Sequence, residues 1–147
     1  VYAAAGGAEE VTTVDLSNTY IDWAKKNFEI NYLVHPRKYR FVTADVKQYL
    51  HTLTPASLDL VIMDPPTFSN SKKMKDILDI QRDHVELLNL VLKALKTGGV
   101  LYFSTNARKF ELDTEQIQAS VIKDITKATT PFDFEGKLLR WCWRMIK

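Results

Sequence analysis

Four short apolar runs, each closing on a polar residue, constrain the fold of this 147-residue chain more than any other feature. They are "VTTVDLS" (11–17), closing on Asp15 and Ser17; "YRFVTADV" (39–46), closing around Asp45; "LDLVIMD" (58–64), closing on Asp64; and "VLYFSTN" (100–106), closing on Thr105 and Asn106. Their length and β-branched content suit strands. The third is apolar on both faces, as strands in the middle of a parallel sheet are. Helical periodicity fills the gaps. "NTYIDWAKKNFEIN" puts Ile21, Ala24 and Phe28 on one face, and "KQYLHTL" reads as a short helix. "IQRDHVELLNLVLKALKTGG" aligns Val85, Leu88, Leu92 and Leu95, with Gly98 or Gly99 as its stop. Asp113 with Gln116 three residues later has the spacing of a capping box for a short helix around Ile117 and Val121. "DITKATTPFDFEGKLL" supplies a weak strand and a turn around Gly136. "LLRWCWRMIK" alternates Trp141, Trp143 and Met145 against Arg140, Cys142 and Arg144, as a strand with two unlike faces does. Strands separated by helices predict an α/β fold with a doubly wound, mostly parallel sheet and an antiparallel edge pair at the end of the chain.

Composition limits the alternatives. A hydrophobic share of 46% and a charged share of 26% are ordinary for a globular domain, and the length suits one domain over residues 1–147 with no linker or repeat inside it. The apolar runs are too short for a membrane span. The opening "VYAAAGG" has neither the basic lead nor the apolar centre of a signal peptide, and with no initiator methionine it reads as a piece of something longer. Gly6 and Gly7 stand where a first helix ends. A lone cysteine, Cys142, cannot form an internal disulfide; it reads as a packing residue in a reducing, cytoplasmic setting. A net charge of +2 is too small to indicate nucleic acid, so any basic surface is local. His84 reads as the partner of a nearby acid, and His35 and His51 lack the company of a metal site.

In an open α/β sheet, ligands lie at the carboxyl ends of the strands. Asp15 is placed there to accept hydrogen bonds from the two hydroxyls of a ribose, or equally to cap the helix after it. Asp45 can reach an exocyclic amine, though aspartate is also an ordinary turn residue. Asp64-Pro65-Pro66 is sharper. Proline fixes φ and donates no hydrogen bond, so the pair holds the backbone extended and leaves carbonyls free beside a carboxylate. Phe68 can offer a stacking face to a flipped nucleobase, the plain alternative being a Pro-Pro turn with a core phenylalanine. Lysines follow Phe68, and Arg108 and Lys109 follow the fourth strand.

"VTTVDLSNTYIDWAKKNFEIN", "DPPTFSNSKKM", "IQRDHVELL" and "FSTNARKF", in this order and spacing, closely resemble the C-terminal methyltransferase half of a bifunctional bacterial enzyme that modifies large-subunit ribosomal RNA. The resemblance covers nearly the whole chain. It implies a Rossmann-like, S-adenosylmethionine-dependent fold with sheet order 3-2-1-4-5-7-6 and an antiparallel seventh strand. It also implies 7-methylguanosine as the product in 23S ribosomal RNA. It gives Asp15, with Leu16, the cofactor's ribose; it gives Asp45 the adenine, with Val46 as a wall. Asp64, Pro65, Pro66 and Phe68 take the methyl-transfer corner, with Asp64 also beside the cofactor. Phe68, Asn70, Lys72, Lys73, Arg82, Asn106, Arg108 and Lys109 face the RNA, and Gln81 faces the site. No metal is implied, and no membrane. The parent protein would join this part to an RNA-binding region and a second methyltransferase domain. The departure is at the start: the family's first strand and glycine-rich cofactor turn precede the segment seen here. This chain alone is therefore expected to bind S-adenosylmethionine poorly.

Three chemistries fit an Asp-Pro-Pro corner. Guanine N7 has an in-plane lone pair and no proton, so its methylation needs positioning and no general base. Methylation of an exocyclic amine, guanine N2 or adenine N6, would use Asp64 and the Pro65 carbonyl as acceptors. Enzymes of that kind carry an aromatic residue directly after the prolines, where this chain has Thr67. Methylation at a pyrimidine carbon needs a cysteine nucleophile, and the stretch after the fourth strand offers "FSTN" instead. A non-catalytic RNA-binding module that keeps the fold is the reading from outside enzymology.

Overall fold

The computed structural model describes residues 1–69, 77–134, 136 and 139–147. The chain forms two compact units, Val1–Tyr49 and Leu50–Lys147. In the first, α1 (Tyr2–Ala5) ends at Gly6, and Gly7 follows with φ +94°, a left-handed conformation that glycine takes without a Cβ penalty. The strands β1 (Val11–Asp15) and β2 (Tyr39–Thr43) pair in parallel, Val11 opposite Tyr39 and Asp15 opposite Thr43. Between them α2 (Asn18–Ile30) is capped by Ser17, whose side chain accepts the Tyr20 N–H. The helix buries Ile21 and Phe28. Phe28 meets the rings of Tyr39 and Phe41 edge-on at 5.2 and 5.1 Å, an arrangement the ring quadrupoles favour. The short helix α3 (Val46–Thr52) spans the division between the units.

The second unit is built on a four-stranded sheet of order β3-β6-β8-β7. Its strands are β3 (Leu58–Met63), β6 (Leu95–Thr105), β7 (Val121–Asp124) and β8 (Trp141–Ile146). A two-stranded antiparallel ribbon, β4 (Phe68–Ser69) with β5 (Leu78–Asp79), precedes α4 (Ile80–Ala94); a short helix, α5 (Thr126–Thr129), follows β7. β3 runs parallel to β6, Met63 opposite Phe103, while β8 is antiparallel to both β6 and β7. Within each unit the neighbours, β1 beside β2 and β3-β6-β8-β7, agree with those expected from the resemblance. β3 was expected in the middle of a parallel sheet. Among the described residues it lies instead at the end of its sheet, paired on one side only, with Ile62 71% exposed.

The core of this unit is α4 laid on the sheet. Leu87, Leu88, Val91 and Leu92 of α4 are buried, as are Leu101, Phe103 and Met145 of the sheet, and α4 packs on β6. The stripe differs from the expected one: Val85 is only half-buried, and Leu87 and Val91 take the inward positions. The helix also stops at Ala94 rather than at the glycines. Its last carbonyls are claimed from elsewhere. Ala56 N–H donates to Lys93 O, Ser57 N–H to Ala94 O, and the Lys147 ammonium to the carbonyls of Lys93 and Leu95. With those acceptors occupied the chain turns extended at Leu95, a tertiary override of good local helix propensity. Gly98 then bends the backbone at φ +77°, and Gly99 lies so close to Lys96 O that a Cβ there would sit at 2.8 Å.

The predicted helix around Ile117 and Val121 is absent. Asp113 and Gln116 do bond each other, the Gln116 N–H to Asp113 Oδ1 at 3.3 Å. However, the Asn89 side chain takes the next backbone groups, donating to Gln116 O and accepting from Gln118 N–H. The helix therefore cannot propagate, and Val121 begins β7. The weak strand expected from residue 124 onward is this same β7, lying almost wholly before that point; Gly136 does turn, at φ +70°. Cys142 is buried in β8, as a packing residue should be.

Candidate functional site

In the first unit the parallel pairing brings Asp15 and Asp45 to the same carboxyl edge. Asp15 ends β1 opposite Thr43, and its carbonyl accepts the Ala44 N–H at 3.1 Å just before Asp45. Asp15 is half-buried, with Leu16 half-buried after it, and Oδ1 accepts the Ser17 N–H at 2.7 Å. Asp45 is only 9% exposed; its Oδ1 takes the N–H groups of Lys47 and Gln48, so it caps α3, and Val46 is half-buried beside it. Asp45 thus caps α3, whereas Asp15 only closes a short turn onto Ser17, which is itself the cap of α2. A carboxylate offers about four acceptor sites over its two oxygens, so these bonds leave capacity for hydroxyl or amine donors.

In the second unit the corner after β3 is cross-braced to the end of β6. Because Met63 lies opposite Phe103, the next pair is Asp64 and Ser104, and the Ser104 hydroxyl donates to Asp64 Oδ1 at 2.7 Å. Two residues further on, just past the end of β6, Asn106 Oδ1 accepts the Thr67 hydroxyl at 2.6 Å. Pro65 and Pro66 span the interval between these rungs, and the Ile80 N–H closes on Thr67 O at 3.2 Å. Phe68 is 57% exposed and pairs through its backbone with Asp79. It is a surface ring held by a short ribbon, not a core phenylalanine.

The helix after the ribbon is tightly anchored. Asp79 caps α4 by accepting the N–H groups of Gln81 and Arg82. The Arg82 guanidinium forks onto buried Asp83 at 2.8 and 2.9 Å and reaches Ile77 O at 2.5 Å. Gln81 pairs both ends of its amide with the backbone of Glu111, at 3.0 and 2.9 Å. His84 was expected to face an acid; it is buried and bonded to backbone instead. Its Nε2 accepts the Asp113 N–H at 3.1 Å, which assigns the proton to Nδ1, 2.8 Å from Gln81 O. A histidine so placed is a spacer between α4 and the backbone at Asp113. Asn70, Lys72 and Lys73 lie outside the described residues.

The loop after β6 carries Arg108 and Lys109, both exposed, between two anchors. The Trp141 indole donates to Ala107 O at 3.0 Å. Phe110 is buried among His84, Phe103 and Trp143, with ring centroids 4.9, 5.7 and 5.5 Å away. A hollow of about 460 Å³ is lined by Glu86, Asn89, Lys93, Gln118 and Lys147 among others, and none of the candidate site residues lines it. Among the described residues no three metal-ligating side chains gather, and no helix is long and apolar enough to cross a membrane.

No family model matches the chain. Curated relatives do. The ribosomal RNA large subunit methyltransferase K of Neisseria meningitidis is 52% identical over 147 residues, 99% of this chain and 41% of that protein. The ribosomal RNA large subunit methyltransferase K/L of Syntrophotalea carbinolica is 49% identical over 148 residues, all of this chain and 20% of that one. This chain is a homologue of one segment of these methyltransferases. It spans about two fifths of the first relative's length and one fifth of the second's. Solved structures agree on the fold. A protein classed as a methyltransferase and crystallised with SAH superposes with a TM-score of 0.74 at 23% identity, over 99% of this chain and 41% of its own. The SAM-dependent methyltransferase of Agrobacterium tumefaciens gives 0.68 at 19% identity, over 97% and 50%. The architecture is the Rossmann-like methyltransferase fold.

Around these candidate residues the structure supplies partners that the sequence alone did not reveal. Ser104 and Thr67 were not candidates, since nothing local in "FSTN" or "PPTF" shows what lies across the sheet. The signal that would have found Ser104 is register: once Met63, the last residue of β3, is set opposite Phe103 of β6, the next residues meet.

Proposed function

We propose that the chain is the catalytic segment of a cytoplasmic, S-adenosylmethionine-dependent methyltransferase that modifies guanine at N7 in 23S ribosomal RNA, and that its two units belong to one methyltransferase domain. The observation carrying this reading is a 52% match, over nearly the whole chain, to a ribosomal RNA methyltransferase. The cross-braced Asp64 corner at the carboxyl edge of β3 and β6 supports it.

The acids of the first unit suit the nucleoside part of the cofactor. Asp15 has acceptor capacity beyond Ser17 N–H for two ribose hydroxyls, with Leu16 as an apolar neighbour; Asp45 has it for the adenine amine, with Val46 as the wall. When bound, S-adenosylmethionine supplies an electrophilic methyl on a sulfonium.

What the second unit contributes is placement. Phe68 presents its ring as a stacking platform for an unstacked base, an interaction worth about 1–3 kcal/mol. Asp64, held by Ser104 and stiffened by Pro65 and Pro66, orients the base with acceptors only, and needs to remove no proton from N7. Orientation of this kind can supply about 7–11 kcal/mol of a barrier. In this proposal Arg108 and Lys109, with Lys72, Lys73 and Arg82, offer positive charge to the RNA backbone, and Asn70 and Asn106 offer neutral polar contacts to the RNA. The remainder of the parent protein, with an RNA-binding region and a second methyltransferase domain, would deliver the substrate. The test is transfer of labelled methyl from S-adenosylmethionine to ribosomal RNA lacking its native methyls by the full-length protein. Label in RNA that disappears with Asp64→Ala supports the reading; tight RNA binding without transfer favours the non-catalytic module.

A further inference from the structure

Thr67 stands where an amino-methylating enzyme would carry an aromatic ring, and the structure gives it a different task. Its hydroxyl donates to Asn106 Oδ1 at 2.6 Å, so the oxygen end of that amide faces Thr67 and the Nδ2 end, with both of its N–H groups, faces away. Asn106 is exposed, and among the described residues Nδ2 meets no acceptor. The arrangement is stiff because Thr67 follows two prolines and its carbonyl is fixed by the Ile80 N–H. A brace alone would need only the oxygen; the amide offers two donors more.

Ser104 in β6 and Asn106 just past its end are two residues apart, about 7 Å in extended chain, and both side chains bond to the segment that follows β3. The first holds a carboxylate, Asp64, which only accepts; the second holds out an amide that only donates outward. Guanine presents the complement to that amide: its O6 accepts. Adenine presents a donor at the position of O6 and would set N–H against N–H. We propose that Asn106 is the residue that selects guanine, donating through Nδ2 to O6, the acceptor that neighbours N7 and that adenine replaces by an amine, and that Thr67 is the positioning residue that fixes which end of the Asn106 amide meets the base. This rests on the functional reading above and adds the base-edge contact to it.

The test uses full-length protein and ribosomal RNA lacking its native methyls, with N7 transfer and folded stability measured in parallel. Asn106→Ala should lower kcat/KM about 10- to 100-fold, the range of a lost base-edge hydrogen bond. Asn106→Asp keeps an oxygen for Thr67 but replaces the donors by acceptors, so its loss should equal or exceed that of Asn106→Ala. Thr67→Val should fall similarly, Thr67→Ser should recover, and Thr67→Val should add nothing to Asn106→Ala. An Asn106→Asp enzyme near wild-type rate overturns the donor role, and additive losses overturn the positioning role. Wild-type protein that leaves guanine unmodified overturns the functional reading itself, and this inference with it.

Discussion

Removing the Ser104 hydroxyl isolates the brace on Asp64. In Ser104→Ala the strand, the prolines and the carboxylate remain, and only the 2.7 Å bond to Asp64 Oδ1 is lost. A hydrogen bond to a charged group contributes about 1.5–3 kcal/mol. Asp64 is exposed and Ser104 half-buried, so water replaces part of it, leaving about 1–2 kcal/mol. That is a factor of about 5–30 in rate. Since the brace orients a group already present, the loss should appear in kcat with little change in KM for the cofactor. Single-turnover methyl transfer by the full-length protein would measure it. Ser104→Thr retains a hydroxyl and should restore most of the rate. A Ser104→Ala enzyme with wild-type kcat would refute the argument that this bond orients Asp64. A Ser104→Thr enzyme as slow as the alanine variant would show that shape, not the hydrogen bond, matters.

Other expectations follow from the anchors and charges. Phe110→Ala removes the ring that His84, Phe103 and Trp143 surround, a change that costs about 3–5 kcal/mol in a packed core; thermal unfolding should move down by several degrees, and an unmoved midpoint would contradict the packing described. Arg108→Ala with Lys109→Ala should weaken RNA binding and flatten its dependence on log salt by about 1.4, at about 0.7 per single-strand phosphate contact. An unchanged slope would remove these residues from the interface. Asp15→Ala should raise the Kd for S-adenosylmethionine in the full-length protein while leaving RNA affinity unchanged; equal cofactor binding would rule out the ribose role.

Much of the architecture could be read from pattern because strands and helices here obey their local periods. β1, β2 and β3 begin at the residues their β-branched runs indicate, Ser17 caps α2, and Ile80 opens α4. Failures came where distant groups competed for backbone partners. Nothing in "KALKTGG" shows that Ala56, Ser57 and Lys147 will take the last helix carbonyls, and nothing in "DTEQIQ" shows that Asn89 will interrupt the next turn. The site followed the same division. Aspartates at strand ends were legible as positions, whereas the Ser104–Asp64 and Asn106–Thr67 rungs join residues 40 and 39 apart and depend on sheet register. His84 misled because a histidine beside acids in sequence turned its ring inward, toward backbone.

The most direct test of the central claim is the identity of the methylated atom. Full-length protein would be incubated with S-adenosylmethionine and ribosomal RNA lacking its native methyls, and the RNA digested to nucleosides and resolved by mass spectrometry against standards, with Asp64→Asn as the control. The account predicts 7-methylguanosine with the wild-type protein and its loss with the variant. A product methylated on an exocyclic amine, or 7-methylguanosine undiminished in Asp64→Asn, would contradict it.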